Sequence, residues 1–264
     1  MTEEAPMEAT PKEFAAVRRA ALELLCATEQ GGRFIDELLS ERIGDFEERD
    51  RRLLQEITFG ALRHQNTLDR ILKAYLKLAM GRQAPPVRWG LRLGAYQLVY
   101  LSRVPAHAAV NQTLEGMKAL EGAGKKEVGF VNAVLHRLAR EITRKTDEAP
   151  AEPDDPNVLP SRNGFCHFSR PVLPLARLDQ VDHLSVKYSY PRWLVETWLA
   201  RFGSGETVDL LQAGNCPPRL CARITARAPS MADAIAADVL KLSPDEFDLC
   251  LRFLQRAEKH QNEA

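Results

Sequence analysis

Residues 92–115, RLGAYQLVYLSRVPAHAAVNQTLE, read as two helices separated by a proline, and that reading decides the fold. Apolar residues recur at 3.6-residue spacing from Val87 to Leu101 and again from Ala106 to Leu120. Pro105 lies between them, at a place where a helix starts rather than continues, because proline has no N–H to give a preceding turn. The same period returns in residues 51–78 and 127–142, with Pro85-Pro86 and the Gly122/Gly124 pair as punctuation. Near the N-terminus, Thr10-Pro11-Lys12-Glu13 supplies a capping hydroxyl, a proline for the first helical position and an acid three residues on. Phe14, Val17, Ala21, Leu24 and Leu25 carry that helix to Gly31-Gly32, and the alternation that marks strands is scarce. The expectation is an all-α bundle of six or seven helices over residues 1–145.

The chain has 264 residues, 45% of them hydrophobic and 27% charged, a composition that supports a real core. Lys plus Arg and Asp plus Glu each total 36, which excludes a bulk polycation that coats nucleic acid or anionic membrane by net charge. The distribution is uneven. Residues 1–56 carry a net −6, residues 57–145 a net +10 and residues 146–264 a net −4. The middle segment, which includes Arg88, Arg92, Arg144 and Lys145, is therefore a candidate phosphate-facing surface. Five scattered cysteines without a C-x-x-C pair point to a reducing compartment and no structural metal. No run of 18 apolar residues occurs, and MTEEAPMEATPKEF is acidic where a secretion signal is basic then apolar, so a cytoplasmic protein with no membrane contact is expected.

Residues 146–182, with Pro150, Pro153, Pro156, Pro160 and five acids within residues 146–165, read as a linker in which Cys166 is exposed. Beyond it, residues 183–264 read as a small, mostly helical α+β segment. Pro191 opens a helix bearing Trp193, Leu194 and Trp198 on one broad face, Gly203 caps it, and residues 206–213 form another. Arg219–Thr225 suggests a short strand, and helices are expected at residues 230–241 and from Ser243 onward.

Three stretches go beyond a generic bundle: residues 52–70, RLLQEITFGALRHQNTLDR; residues 92–115; and residues 129–140, GFVNAVLHRLAR. Together they resemble the NusB-type RNA-binding domain over residues 12–143, in the form fused to the front of bacterial 16S ribosomal RNA cytosine-5 methyltransferases of the RsmB (Fmu/Sun) type. Residues 184–225, LSVKYSYPRWLVETWLARFGSGETVDLLQAGNCPPRLCARIT, are similar to the segment that opens the catalytic module of those enzymes. The resemblance implies an all-α NusB-like bundle that touches RNA. Two positions depart from the pattern: His136 stands where the family usually has Arg, and Ala222–Thr225 replaces an Arg-Val-Asn-like ending.

The family's methyltransferase module holds S-adenosylmethionine on a glycine-rich loop and attacks cytosine with cysteines in Pro-Cys settings. Neither pattern occurs in this sequence. The chain thus reads as the enzyme's non-catalytic N-terminal half, truncated before the cofactor domain, with no catalytic residue and no cofactor of its own. Cys216, which precedes a proline rather than following one, is read as a packing or recognition residue.

For RNA contact the sequence nominates Arg63 and His64, Lys125 and Lys126 at a loop-to-helix junction, and Arg137 and Arg140 one turn apart. By resemblance, Lys187, Arg192, Arg219 and Arg223 join them. Asn111 and Asn132 are expected to make buried hydrogen bonds, Trp193 and Trp198 to pack in the core, and Gly60 and Gly94 to mark close helix crossings. The expected partner of this monomer is 16S ribosomal RNA. The alternatives are a fragment of a split methyltransferase that works with a separate catalytic chain, and an antitermination-type module that docks a ribosomal protein.

Overall fold

A computed structural model describes residues 11–161 and 164–216. The readings at Thr10, at residues 219–225 and in the tail helices, together with Arg219 and Arg223, lie outside the described residues. Helices α1 (Pro11–Gly31), α2 (Ile35–Arg42), α3 (Glu48–Arg63), α4 (Gln65–Lys73), α5 (Pro85–Tyr100), α6 (Ala106–Lys118) and α7 (Lys125–Glu141) follow in order. Short 3-10 turns occupy Ile43–Asp45 and Met80–Arg82. Strands β1 (Ile142–Thr146), β2 (Val158–Ser161) and β3 (Gly164–Phe168) come next, then α8 (Gln180–Tyr188) and α9 (Arg192–Asn215).

The stretch that decides the fold forms its axis. Every residue of α5 from Pro86 to Tyr100 is buried, and α1, α3, α4, α6 and α7 all pack against this helix. A helix enclosed on all sides must find partners inside the protein for most of the polar groups it carries. Gln97 does so by donating to Thr113 Oγ1 at 2.9 Å and accepting from Arg18 Nε at 3.0 Å. Arg92 forms a two-pronged pair with Asp69, both contacts at 2.7 Å. Arg88 reaches Glu29 and the carbonyls of Gly81 and Gln83. Arg88 and Arg92 therefore leave the candidate basic surface and serve the interior.

Close crossing explains the helical glycines, as expected from their place in apolar runs. A Cβ on Gly60 would fall 2.0 Å from Tyr96 Cζ, and one on Gly94 would fall 2.3 Å from Leu135 Cδ1. The single run read at residues 51–78 divides at His64, where φ −95° and ψ 17° take the backbone out of the helix and turn α3 into α4.

The stretch read as a linker folds. Strands β1, β3 and β2 form an antiparallel sheet in that order, with Leu159 opposite Cys166 and Ile142 opposite Phe168. Leu159, Cys166, Phe168, Val172 and Leu173 are buried in the same core as the seven helices. Cys166 is therefore enclosed, not exposed. The strands are only four or five residues long, too short for alternation to show, and Pro160 is tolerated because β2 is an edge strand. Residues 11–215 belong to one compact unit, so the division expected at residues 146–182 is not a boundary of the fold.

Helices α8 and α9 pack on each other through Leu184, Tyr188, Val195 and Leu211, with Trp198 and Tyr190 against them. Gly203, at φ 76°, breaks α9 where the sequence placed a cap. Trp193 departs from its expected core position: it is 66% exposed. Asn111 is exposed and Asn132 half-buried, so Asn111 is not the buried tie expected of it.

Candidate nucleic-acid interface

The outer face of α7 is built by its period. Val131, Val134, Leu135 and Leu138 are buried and fix the inward side. At 3.6 residues per turn, Lys125, Lys126, Gly129, Ala133, His136, Arg137 and Arg140 fall on the opposite side, and all are exposed. Five of these seven are basic or imidazole side chains, and none is acidic. Among the described residues no carboxylate forms an ion pair with Lys125, Lys126, Arg137 or Arg140. The stripe is about 22 Å long from Lys125 to Arg140, at 1.5 Å per residue. Arg144, in β1, is exposed as well.

The two lysines stand in the first turn, where the helix dipole favours acids. Gly124, in the N-cap position, offers no side-chain cap, so backbone N–H groups there point the same way as the lysine charges. Glu127, the acid of the same turn, brings its carboxylate against Gly124, so the helix terminus is matched there while the two lysine charges stay in solvent. Arg137 is positioned further: its guanidinium lies 5.4 Å over the ring of Tyr75. Tyr75 donates to Glu141 at 2.7 Å, and Arg170 pairs with the same carboxylate. Burial, then the Glu141 hydrogen bond, push the Tyr75 phenol up to about 12, so it stays a neutral platform.

The other nominated residues separate. Arg63 ends α3 exposed. His64 beside it turns inward and stacks on Tyr100 at 4.1 Å between centroids. Burial, and after it the Arg63 charge, lower the His64 imidazole to about 4, so at neutral pH it carries no charge for a phosphate. Lys187 is also engaged: its ammonium donates to the Pro153 carbonyl at 2.6 Å and meets Asp154 at 3.2 Å. Arg192 pairs with Asp179 at 2.8 Å.

Sequence reasoning missed a cleft of about 440 Å³ between the α3–α4 turn and the α8–α9 pair. Asn66 closes its floor, donating from Nδ2 to the Ser185 carbonyl at 3.1 Å and the Tyr190 carbonyl at 3.3 Å, while its backbone N–H donates to Ser189 Oγ at 3.1 Å. Thr67 donates to the Val186 carbonyl beside it. The only hint in the sequence was Asn66-Thr67 inside the motif at residues 52–70. Their partners lie about 120 residues away and carry no local mark.

An all-α bundle with a basic outer helix and a short sheet closing its core is the class that this geometry defines. Residues 15–140 match the model of the NusB family. The chain is 34% identical over 178 residues to the probable ribosomal RNA small subunit methyltransferase B of Synechocystis sp., covering 66% of this chain and 32% of that protein. It is 27% identical over 233 residues to the probable enzyme of the same name from Bacillus subtilis, covering 86% of this chain and 45% of that one. The second match necessarily takes in α8 and α9. The chain thus spans less than half the length of the curated relatives it matches. In fold, it is similar to the crystal structure of PH0851, with a TM-score of 0.51, 16% identity, and coverage of 81% of this chain and 41% of that one. No helix among the described residues is long and apolar enough to cross a membrane.

Proposed function

We propose that this chain binds structured ribosomal RNA, with the outer face of α7 contacting phosphates. The carrying observation is the stripe Lys125, Lys126, His136, Arg137 and Arg140, which has no acid on its face and two lysines at the positive end of the helix. Each phosphate that such a face neutralises releases counterions, which makes the affinity strongly salt-dependent. The similarity to proteins named ribosomal RNA small subunit methyltransferase B favours 16S ribosomal RNA as the ligand. It also favours a methyltransferase setting, in which this chain holds RNA for chemistry done by other residues.

The described residues offer no cradle of the doubly wound kind for S-adenosylmethionine. The sheet among the described residues is antiparallel, and no glycine-rich turn leads from a parallel strand into a helix, which is how nucleoside cofactors are cradled in doubly wound folds. We therefore assign no methyl-transfer step to this chain.

Fluorescence anisotropy of the full chain with a 16S rRNA hairpin and a shuffled control, at two salt concentrations, tests the reading. Lys125→Glu/Lys126→Glu should weaken binding by at least tenfold and flatten the salt dependence, with a slope change of about 0.9 for each phosphate that is no longer neutralised. Binding that is indifferent to the charge reversal, or equal for the two RNAs, would overturn it.

A further inference from the structure

The cleft beside Asn66 has features that the α7 surface lacks. Arg63 and Arg192, 129 positions apart in sequence, both line it. Arg63 is exposed and has no carboxylate partner among the described residues, while Arg192 is held in place by Asp179. Two carboxylates also line it, and each is met by an arginine: Asp69 by Arg92 at 2.7 Å and Asp182 by Arg192 at 4.0 Å. The Ser189 hydroxyl, which accepts from the Asn66 N–H, keeps its own proton to donate, and Gln65 adds an exposed amide. Next in the chain to Arg192 stands Trp193, 66% exposed although it sits between residues of the α8–α9 core. A solvent-exposed tryptophan that follows a cleft-lining residue in the chain, and a cleft whose carboxylates are matched by arginines while Arg63 and the Gln65 amide stay free, are the equipment that unpaired nucleotides require: an aromatic face for stacking, a cation for phosphate, and donors for a base edge.

We infer that this cleft and Trp193 form a second RNA subsite, which takes a single unpaired nucleotide of the strand whose paired region lies on α7. The base stacks on Trp193, the phosphate meets Arg63, and Ser189 and Gln65 face the base edge. The inference rests on the RNA-binding reading and deepens it, by dividing recognition between a paired-region surface and a single-strand subsite.

Titration of the full chain with a pentauridylate, followed by tryptophan fluorescence, tests the subsite apart from α7. Binding should quench the fluorescence. With a fluorescein-labelled pentauridylate read by anisotropy, which does not depend on the tryptophan as probe, Trp193→Ala and Arg63→Glu should each raise the Kd by at least tenfold. Lys125→Glu/Lys126→Glu should change this titration less than threefold, while it removes binding of a fully paired RNA duplex. Trp193 and Arg63 are exposed, so their replacement leaves the core intact. Duplex binding without any pentauridylate binding would overturn the subsite and spare the α7 surface. Pentauridylate binding that survives both Trp193→Ala and Arg63→Glu would overturn it as well, and would leave Trp193 as a contact for a protein. Pentauridylate binding that fails in those variants while duplex binding is absent in the wild type would uphold the subsite and sink the α7 reading.

Discussion

Asn66 Nδ2 lies 3.1 Å from the Ser185 carbonyl oxygen, and this contact ties α4 to α8 across 119 residues of sequence. The same amide serves the Tyr190 carbonyl, and Ser185 Oγ donates to that carbonyl at 2.6 Å. The α8–α9 pair is thereby fastened to the helical bundle by polar groups as well as by side-chain packing.

Asn66→Ala should destabilise the protein by about 1 kcal/mol, because the amide's bonds to the Ser185 and Tyr190 carbonyls are lost while the Ser185 carbonyl keeps the Tyr190 N–H. Asn66→Asp should be at least as costly, since it turns a carboxylate towards the same carbonyls. Urea denaturation followed by circular dichroism measures both. A change below about 0.5 kcal/mol for the alanine variant would show that the tie contributes little.

Two glycines on neighbouring helices should respond in opposite directions. A Cβ on Gly116 would come within 2.9 Å of the Arg19 backbone nitrogen in α1, and backbone cannot step aside, so Gly116→Ala should cost about 1–3 kcal/mol. Gly129, on the outer face of α7, has nothing within 4 Å of that position, so Gly129→Ala should stabilise by up to about 1 kcal/mol. Paired thermal melts of the two variants give the answer.

His64 should make the fold sensitive to acid. Its imidazole is lowered to about 4 in the folded protein, chiefly by burial, against 6.5 for a free side chain. Between those values the unfolded chain binds a proton that the folded one refuses, so stability falls as pH drops from 6.5 towards 4. Between pH 7.5 and pH 5 the loss assignable to His64 is about 2 kcal/mol. His64→Phe keeps a ring against Tyr100 and should remove that part of the pH dependence, which urea titrations at the two pH values would reveal. An unchanged dependence would place the titration elsewhere.

The cysteines should divide by access. Cys216 is exposed, whereas Cys166 is buried and its thiol is pushed up to about 12 by burial; Cys26 is half-buried and raised to about 11, again chiefly by burial. Brief iodoacetamide treatment of the native protein, read by peptide mass spectrometry, should label Cys216 and spare Cys166 and Cys26 until denaturant is added. Rapid native labelling of Cys166 would contradict its place in the sheet.

The helical part of the fold was legible because its signals are local and repeated. The start of α1 at Pro11, the turn at Pro105 and the cap at Gly203 each follow from a single residue's backbone chemistry, and the buried face of α7 follows from four apolar positions at helical spacing. The same spacing put Lys125, Lys126, Arg137 and Arg140 on its solvent side, where all four are exposed. The small sheet was not legible. Strands of four and five residues hold too few alternations to rise above a stretch rich in proline and acid, and what makes them strands is their pairing with one another and the burial of Leu159, Cys166 and Phe168.

By itself, then, the sequence determined what each segment can do locally: where helices start and stop, which faces are apolar and where positive charge accumulates. Only the tertiary structure decided which polar groups are spent inside and which are left for a partner. Arg88, Arg92 and Arg63 look alike in a charge count, yet the first two are matched to Glu29 and Asp69 in the interior while the third faces a cleft. Two adjacent residues at the end of α3 likewise part, with Arg63 in solvent and His64 against Tyr100. Trp193 was apolar enough for the core and stands in water instead. The physical reason is that burial and pairing depend on partners far away along the chain, and no local pattern encodes where those partners come to lie.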